Sequence, residues 1–297
     1  MHRSAASLAI AAAAFVAACS AKEAKTDTAA PAQAGAPVTP ASKASFDPAT
    51  HVAVVHAKDF AFDAPDSVTA GWTTFHFVND GPNLHHASLA RLDSGKTLAD
   101  LEAAMKAAPP GSPPPKWVVA VGGPNAPDPG GSTDATFNLT EGNYVFMCFV
   151  DSPDKVPHFM KGMVRPLKVV ASATPAPEPT ADVTVTLSDY AFAVSGKLTA
   201  GKHTIKVVNK GPQEHELELA KIATGKTTKD LLDWIYKPDG PPPGNALGGI
   251  AGTAPGSTSY FTVDLQPGDY SFICFIPDAK DQKPHLAHGM MKDFKVQ

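Results

Sequence analysis

The sequence predicts an all-β protein built as two tandem antiparallel β-sandwiches, each with one short inserted helix. Three observations lead there. The chain repeats itself: KDFAFDAPDSVTAGWTTFHFVNDGP, Lys58 to Pro82, aligns without a gap with SDYAFAVSGKLTAGKHTIKVVNKGP, Ser188 to Pro212. Most of each copy consists of short β-branched or aromatic runs bounded by Gly, Pro, Asn and Asp. One segment per copy spaces its apolar residues as a helix does, Leu98, Leu101 and Met105 in the first and Leu231, Leu232 and Ile235 in the second, with Pro109 and Pro238 to stop them. Many short strands and a single helix, in blocks of about 115–125 residues, suggest a sandwich domain made twice.

Residues 1–18 read as a signal peptide. Arg3 is the positive start, and Ala5 to Ala17 is an apolar run too short to span a membrane. The run ends Val16-Ala17-Ala18-Cys19, which resembles a bacterial lipobox. That resemblance implies cleavage before Cys19 and a lipid on Cys19 that tethers the protein to a membrane; ordinary secretory cleavage is the alternative. Ser20 resembles outer-membrane sorting. Residues 19–46 are rich in Ala, Pro, Thr and Lys and cannot bury enough apolar surface to order themselves, so they are expected to be a flexible tether. The first domain then runs over 47–171, the Pro/Ala-rich linker SATPAPEPTAD over 172–182, and the second domain over 183–297.

In the first domain the expected strands are VAVVHA, TTFHFVN, ASLARL, ATFNL, YVFMCF and VRPLKVV; in the second they are VTVTL, HTIKVVN, LELAKI, YFTVDL, YSFICF and FKVQ. The side-chain period of two puts Tyr144, Phe146 and Cys148 on one face, and Tyr270, Phe272 and Cys274 likewise. Each cysteine therefore points inward at the end of a core strand.

A formal charge of −4 without any basic cluster argues against a nucleic-acid partner. With Cys19 set aside, each domain holds one cysteine, which cannot make a disulfide within its own domain. A Cys148–Cys274 bridge is the other arrangement, but matching positions in two repeats suggest one task performed twice. Taken alone, a buried cysteine is ordinarily an inert thiol, and Met163 or Met290 ordinarily fills a core. His51, His56, His76 and His203 share no spacing and read as structural, His86 and His288 as surface residues, and Trp72, Trp117 and Trp234 as core or interdomain packing.

The pattern Gly-x-Tyr-x-Phe-x-Cys followed by His-x4-Met, with Gly before the Met, occurs at Gly142 to Met163 and again at Gly268 to Met290. It resembles the C-terminal ligand loop of cupredoxins, the blue copper proteins. FVNDGPNLHHASL and VVNKGPQEHELEL stand where that family takes its first histidine. The resemblance implies two cupredoxin-like Greek-key sandwiches and one type 1 copper per domain. Its ligands would be His85, Cys148, His158 and axial Met163 in the first, and His215, Cys274, His285 and axial Met290 in the second. A thiolate, two imidazoles and a distant thioether suit both oxidation states of copper. Two features depart from the small members of the family. Nine and ten residues intervene between cysteine and histidine, a longer loop that is closer to that of copper nitrite reductases. The family's bracing Asn after the first histidine is replaced by His86 and Glu216.

The expected function is electron transfer on the periplasmic side of the envelope, with redox proteins such as a c-type cytochrome or an oxidase as partners. The C-terminal histidine edges would lie near the surface, with Phe159, Met160 and Leu286 forming an apolar docking patch. No small-molecule substrate is expected. Copper handling without redox cycling is the alternative; beyond the ligand loops, the chain lacks the Met- or His-rich tracts it would favour. A two-domain copper oxidase or nitrite reductase is set aside because no histidine flanks either cysteine and no His-x-His pair occurs, so the chain is expected not to be an enzyme.

Overall fold

The computed structural model describes residues 43–93, 95–108 and 114–297, so the expected signal peptide, Cys19, most of the expected tether and Pro109 lie outside the described residues. In the first domain the strands are β1 (Ser45–Asp47), β2 (Val52–Lys58), β3 (Ala61–Asp63), β4 (Ser67–Thr69), β5 (Gly71–Asn79), β6 (Ser88–Leu92), β7 (Val118–Gly122), β8 (Ser132–Leu139), β9 (Gly142–Met147) and β10 (Val164–Val170), with helix α1 at Leu98–Ala107. The second domain supplies β11 (Val183–Ser188), β12 (Ala191–Ser195), β13 (Gly201–Asn209), β14 (His215–Ile222), β15 (Gly244–Thr253), β16 (Thr258–Leu265), β17 (Gly268–Ile273) and β18 (Met291–Val296), with α2 at Thr228–Tyr236. Strand β1 pairs with β2, so Ser45 and Phe46, the last two residues of the expected tether, belong to a strand. Apart from α1, α2 and two 3-10 turns, the described elements are all strands, laid out as two repeated units.

The sandwiches are not purely antiparallel. β2 runs parallel to β5, β11 to β13, and β10 to β4. Alternation in β5 buries Thr73, Phe75, Phe77 and Asn79 and leaves the residues between them half-buried. Phe75, Phe137 and Phe146 meet at the centre of the first sandwich. Strand β9 is buried on both faces. Tyr144 and Phe146 join the main core, whereas Val145 and Met147 lie under α1 with Leu101. In the second domain Ile273 packs in the same way under Leu231, Leu232, Trp234 and Ile235 of α2. Both helices start with the same capping box, Thr97 with Asp100 and Thr227 with Asp230, each cap contributing about 1 kcal/mol.

Each of the two sheets runs through both domains, in the orders β1-β2-β5-β8-β16-β13-β11-β12 and β18-β17-β14-β15-β7-β6-β9-β10-β4. At the first junction Phe261 pairs with Ala135, its own repeat equivalent, and Tyr260 with Thr136 and Thr262 with Asp134 flank that pair. At the second junction Pro124 bridges Ile250, again equivalent to equivalent. The domains are therefore related by a pseudo-two-fold axis and meet through like surfaces, as in an isologous dimer. Residues 123–128 cross the axis against 246–251, with Asn125 N–H donating to Gly249 O at 3.1 Å and Ala251 N–H to Gly123 O at 2.9 Å. Each crossing segment also runs so close to its own domain's first-histidine strand that it needs glycine. Gly123 and Gly249 have φ of +121° and +134°, and a Cβ would fall 2.1 Å from Ala87 O and 2.2 Å from Leu217 O.

The linker is held to both domains: Glu178 accepts from Lys206 Nζ at 2.9 Å and from Tyr260 Oη, and Pro175 packs where a Cβ on Gly71 would stand. Trp72 sits edge-on to Tyr260 across the junction, with ring centroids 5.2 Å apart. Strands β1, β3, β4, β7, β12 and β15 were not expected from sequence. β15 reads GNALGGIAGT and has almost no strand propensity of its own; it forms because β14 and the crossing segment accept its hydrogen bonds.

Gly249→Ala should lower stability by on the order of 2 kcal/mol or more, through backbone collision and φ strain together. Gly256→Ala, at φ +80° with open space around it, should cost only about 1 kcal/mol. Thermal unfolding followed by far-ultraviolet circular dichroism compares the two; equal losses would contradict the crossing argument.

Candidate metal centres

Each candidate centre begins with a buried asparagine at the end of the strand before the first histidine. Asn79 Nδ2 donates to Asn83 O at 2.9 Å and Pro127 O at 3.0 Å, while its Oδ1 accepts from Gly81 N at 3.1 Å. Asn209 makes the same bonds to Gln213 O, Thr253 O and Gly211 N. The turn this builds presses directly on the histidine. A Cβ on Gly81 would fall 2.6 Å from His85 Nε2, and one on Gly211 2.5 Å from His215 Nε2.

The structure brings His85, Cys148 and His158 together, and likewise His215, Cys274 and His285, all buried. His85 Nδ1 lies 3.1 Å from His158 Nδ1, and Cys148 Sγ lies 3.9 and 3.5 Å from the two nitrogens. In the second domain the nitrogens are 3.0 Å apart and Cys274 Sγ is 3.3 Å from His285 Nδ1. Donors about 2.0–2.3 Å from a shared ion and splayed by about 100–120° stand roughly 3–4 Å apart, so both clusters fit a metal. Two imidazoles with one thiolate are a donor set that suits copper. Both cysteines are free, which removes the interdomain disulfide.

Two aspartates that the sequence reading did not single out orient the first histidines. His85 Nε2 lies 2.9 Å from Asp59 Oδ1, and His215 Nε2 2.9 Å from Asp189 Oδ1. A carboxylate only accepts, so Nε2 carries the proton and Nδ1 offers its lone pair to the centre. The signal was present in the sequence as the repeated Asp-aromatic-Ala-Phe of KDFAF and SDYAF. The aromatic that follows, Phe60 or Tyr190, sits at φ +63° and turns its ring onto the second histidine. Phe60 stands edge-on to His158 at 5.2 Å and Tyr190 to His285 at 5.6 Å. The histidine edges expected near the surface are therefore capped, with His158 1% and His285 0% exposed.

Met163 and Met290 are fully buried, and Cys148 N–H donates to Met163 O and Cys274 N–H to Met290 O. Each methionine thus lies beside its cysteine in the ladder. His86 is not a free surface residue: its Nε2 accepts from Phe149 N–H at 2.8 Å. Glu216 Oε1 accepts from Phe275 N–H at 2.7 Å. Both replacements therefore brace the cysteine end of the loop, and the departure from Asn does not loosen it. His56, His76 and His203 pair with Asp80, Asp134 and Asp182, and His51 lies beside Thr69. Of the expected docking residues, Met160 is 67% exposed, but Leu286 is buried under α2.

Burial sets the protonation of the centres. It lowers His158 and His285 to about 4, lowers His85 and His215, pushes the Cys148 thiol up to about 12 and raises Cys274 as well. Glu216 is raised to about 7 by the same cause. A third group, Asp278, Asp281 and His288, lies close together. Asp278 Oδ2 already accepts from Tyr190 Oη at 2.6 Å and Gln213 Nε2 at 2.9 Å, and Oδ1 accepts from Lys280 N–H, so we assign no metal there.

No protein-family model and no curated protein matches the chain. Solved structures do. Reduced auracyanin from Roseiflexus castenholzii is 24% identical, with 40% of this chain and 95% of that one covered and a TM-score of 0.28. The blue copper oxidase of Nitrosomonas europaea is 16% identical over 82% of this chain and 85% of its own, with a TM-score of 0.24. The copper nitrite reductase of the same organism is 14% identical over 83% and 93%, again at 0.24. The expectation that the chain is not an enzyme is corrected here. An oxidase and a reductase are among the similar chains, and two His–Cys–His clusters converge from separate elements. Missing sequence motifs therefore do not exclude catalysis.

Two outcomes test the centres. With thiols protonated and imidazoles neutral at pH 7, copper loading should release about one proton per site, and in the first domain binding should strengthen about tenfold per pH unit between about 4 and about 12; metal titrations in buffers of different ionisation enthalpy measure this. Asp59→Ala should weaken copper binding in the first domain by about 10–100-fold and leave the second unchanged, read by chelator competition.

Proposed function

We propose that the chain is a copper protein that carries electrons, with one type 1 copper in each domain. The observation that carries this reading is the duplicated, buried convergence of two Nδ1 atoms and one Sγ. His85, Cys148 and His158 would hold one ion with Met163 as a weak axial ligand; His215, Cys274, His285 and Met290 would hold the other. The bound metal supplies a one-electron couple. Asp59 and Asp189 hold the imidazoles in the ligating tautomer, and the braces at His86 and Glu216 hold the thiolate in place, so little rearranges when the charge changes.

Electrons would enter the first domain where Phe149, 37% exposed, packs on Phe159 next to the exposed Met160. This apolar patch would receive a redox protein. The second centre is covered instead by Tyr190 and His288, whose rings lie 4.8 Å apart. The reading includes export and a lipid on Cys19 that holds the protein on the periplasmic side, at the outer membrane. Among the described residues no helix is long and apolar enough to cross a membrane.

Cys148→Ser and Cys274→Ser should each remove about half of the bound copper and about half of the intense thiolate-to-copper absorption. Metal analysis with electron paramagnetic resonance on the fragment lacking Cys19 measures both. A double variant that keeps the absorption would overturn the assignment.

A further inference from the structure

Between its cysteine and its second histidine, each ligand loop makes a turn, and the two domains place different residues on it. Ser152 and Asp278 each stand four residues after their cysteine. Ser152 N–H donates to Val156 O at 2.9 Å and Asp278 N–H to Lys283 O at 2.8 Å. His158 N–H then donates to Val150 O, and His285 N–H to Ile276 O, both at 2.9 Å. Ser152 and Asp278 therefore hold the same position, and the backbone turn forms around either residue. In Asp278, 1% exposed, the two carboxylate oxygens have separate partners. Oδ1 braces the loop by accepting from Lys280 N–H at 2.8 Å. Oδ2 accepts from Tyr190 Oη at 2.6 Å and from Gln213 Nε2 at 2.9 Å, and it lies 3.8 Å from His285 Nε2.

Gln213 Nε2 also donates to Asp189 Oδ2 at 3.2 Å, on the carboxylate whose Oδ1 faces His215 Nε2 at 2.9 Å. One side-chain amide thus ties the carboxylate on the first histidine to a carboxylate beside the second. The first domain has no such tie. Asn83 replaces Gln213 and donates to Asp59 Oδ2 at 2.8 Å, Phe60 replaces Tyr190 without its hydroxyl, and Ser152 offers no carboxylate. All three differences fall on one network, which the shared fold does without in the first domain.

His285 Nε2 is buried and has no hydrogen-bond partner among the described residues. Its Nδ1 lies 3.0 Å from His215 Nδ1 and 3.3 Å from Cys274 Sγ. Giving that Nδ1 to an ion leaves the ring proton on Nε2, facing Asp278. A cation on the ring makes Nε2–H a stronger donor, and a closure of about 1 Å brings Oδ2 to ordinary hydrogen-bond distance. We propose that Asp278, held by Tyr190 and Gln213, is the positioning carboxylate of His285 and makes the second centre bind copper more tightly than the first. The inference rests on the copper reading above. It assigns the two centres different work: the second fills first and keeps its metal, while the first gains and loses copper more readily.

Chains carrying Cys148→Ala or Cys274→Ala each keep one complete centre. In anaerobic competition for Cu(I) against a chromophoric chelator, the Cys148→Ala chain, which keeps the second centre, should bind about 10–100-fold more tightly than the other. Two further substitutions in that chain should each remove most of the difference. Asp278→Asn keeps an oxygen for Lys280 N–H, and Asp278→Ser installs the residue around which the first domain builds the same turn. Proton NMR supplies a readout that loop bracing alone would not move. In the Cu(I)-loaded Cys148→Ala chain the His285 Nε2–H resonance should lie downfield, and Asp278→Asn should move it upfield. Equal affinities of the two single-centre chains, or an Asp278→Asn chain that keeps either its affinity or its His285 resonance, overturn the proposal and leave the copper reading intact. If neither single-centre chain binds Cu(I), both fall.

Discussion

Two imidazole nitrogens held about 3 Å apart beside a buried thiol sulfur form a donor set that one cation can bridge. The rest of the molecule is arranged to sustain this. Asp59 and Asp189 keep Nε2 of His85 and His215 protonated, and so aim those two Nδ1 lone pairs inward. Asn79 and Asn209 close the turn that carries the first histidine, while the 3-10 turn over His158–Lys161 or His285–His288 presents the second. Relaxing any of these would let a ring rotate and separate the donors, and the metal preference would go with it.

The two centres share this frame and differ in what surrounds it. Around His158 lie Phe60, with Lys161 over its ring, and the exposed Met160. Around His285 lie Tyr190, Asp278 and His288. The same fold therefore gives the first centre an apolar rim and the second a hydrogen-bonded one. The interface between the domains adds a third distinct environment, with Glu216 and Glu218 buried on β14 and Asn125 opposite.

Much of this was legible in the chain because repeat identity and periodicity are local properties. The strands that carry the sites were readable from period-two burial, the helices from their spacing, and the donor types from their order after each cysteine. Asp59 and Asp189 were legible in principle, since the Asp-aromatic pair recurs in both copies, but a lone aspartate before a strand carries no visible role until its carboxylate meets an imidazole 26 residues away. Strand β15 was not legible: its glycines have no propensity and are fixed by what they pair with.

By itself the sequence determined the all-β repeat, the inward cysteines and the ligand candidates, because alternation and spacing act within a few residues of each other. Only the tertiary structure decided that the histidine edges are capped, that Leu286 is buried, that His86 and Glu216 are braces, and that equivalent strands join the domains about a pseudo-dyad. Those outcomes depend on contacts between segments far apart in the chain. Such contacts are set by which surfaces exclude water together, and no local pattern encodes them.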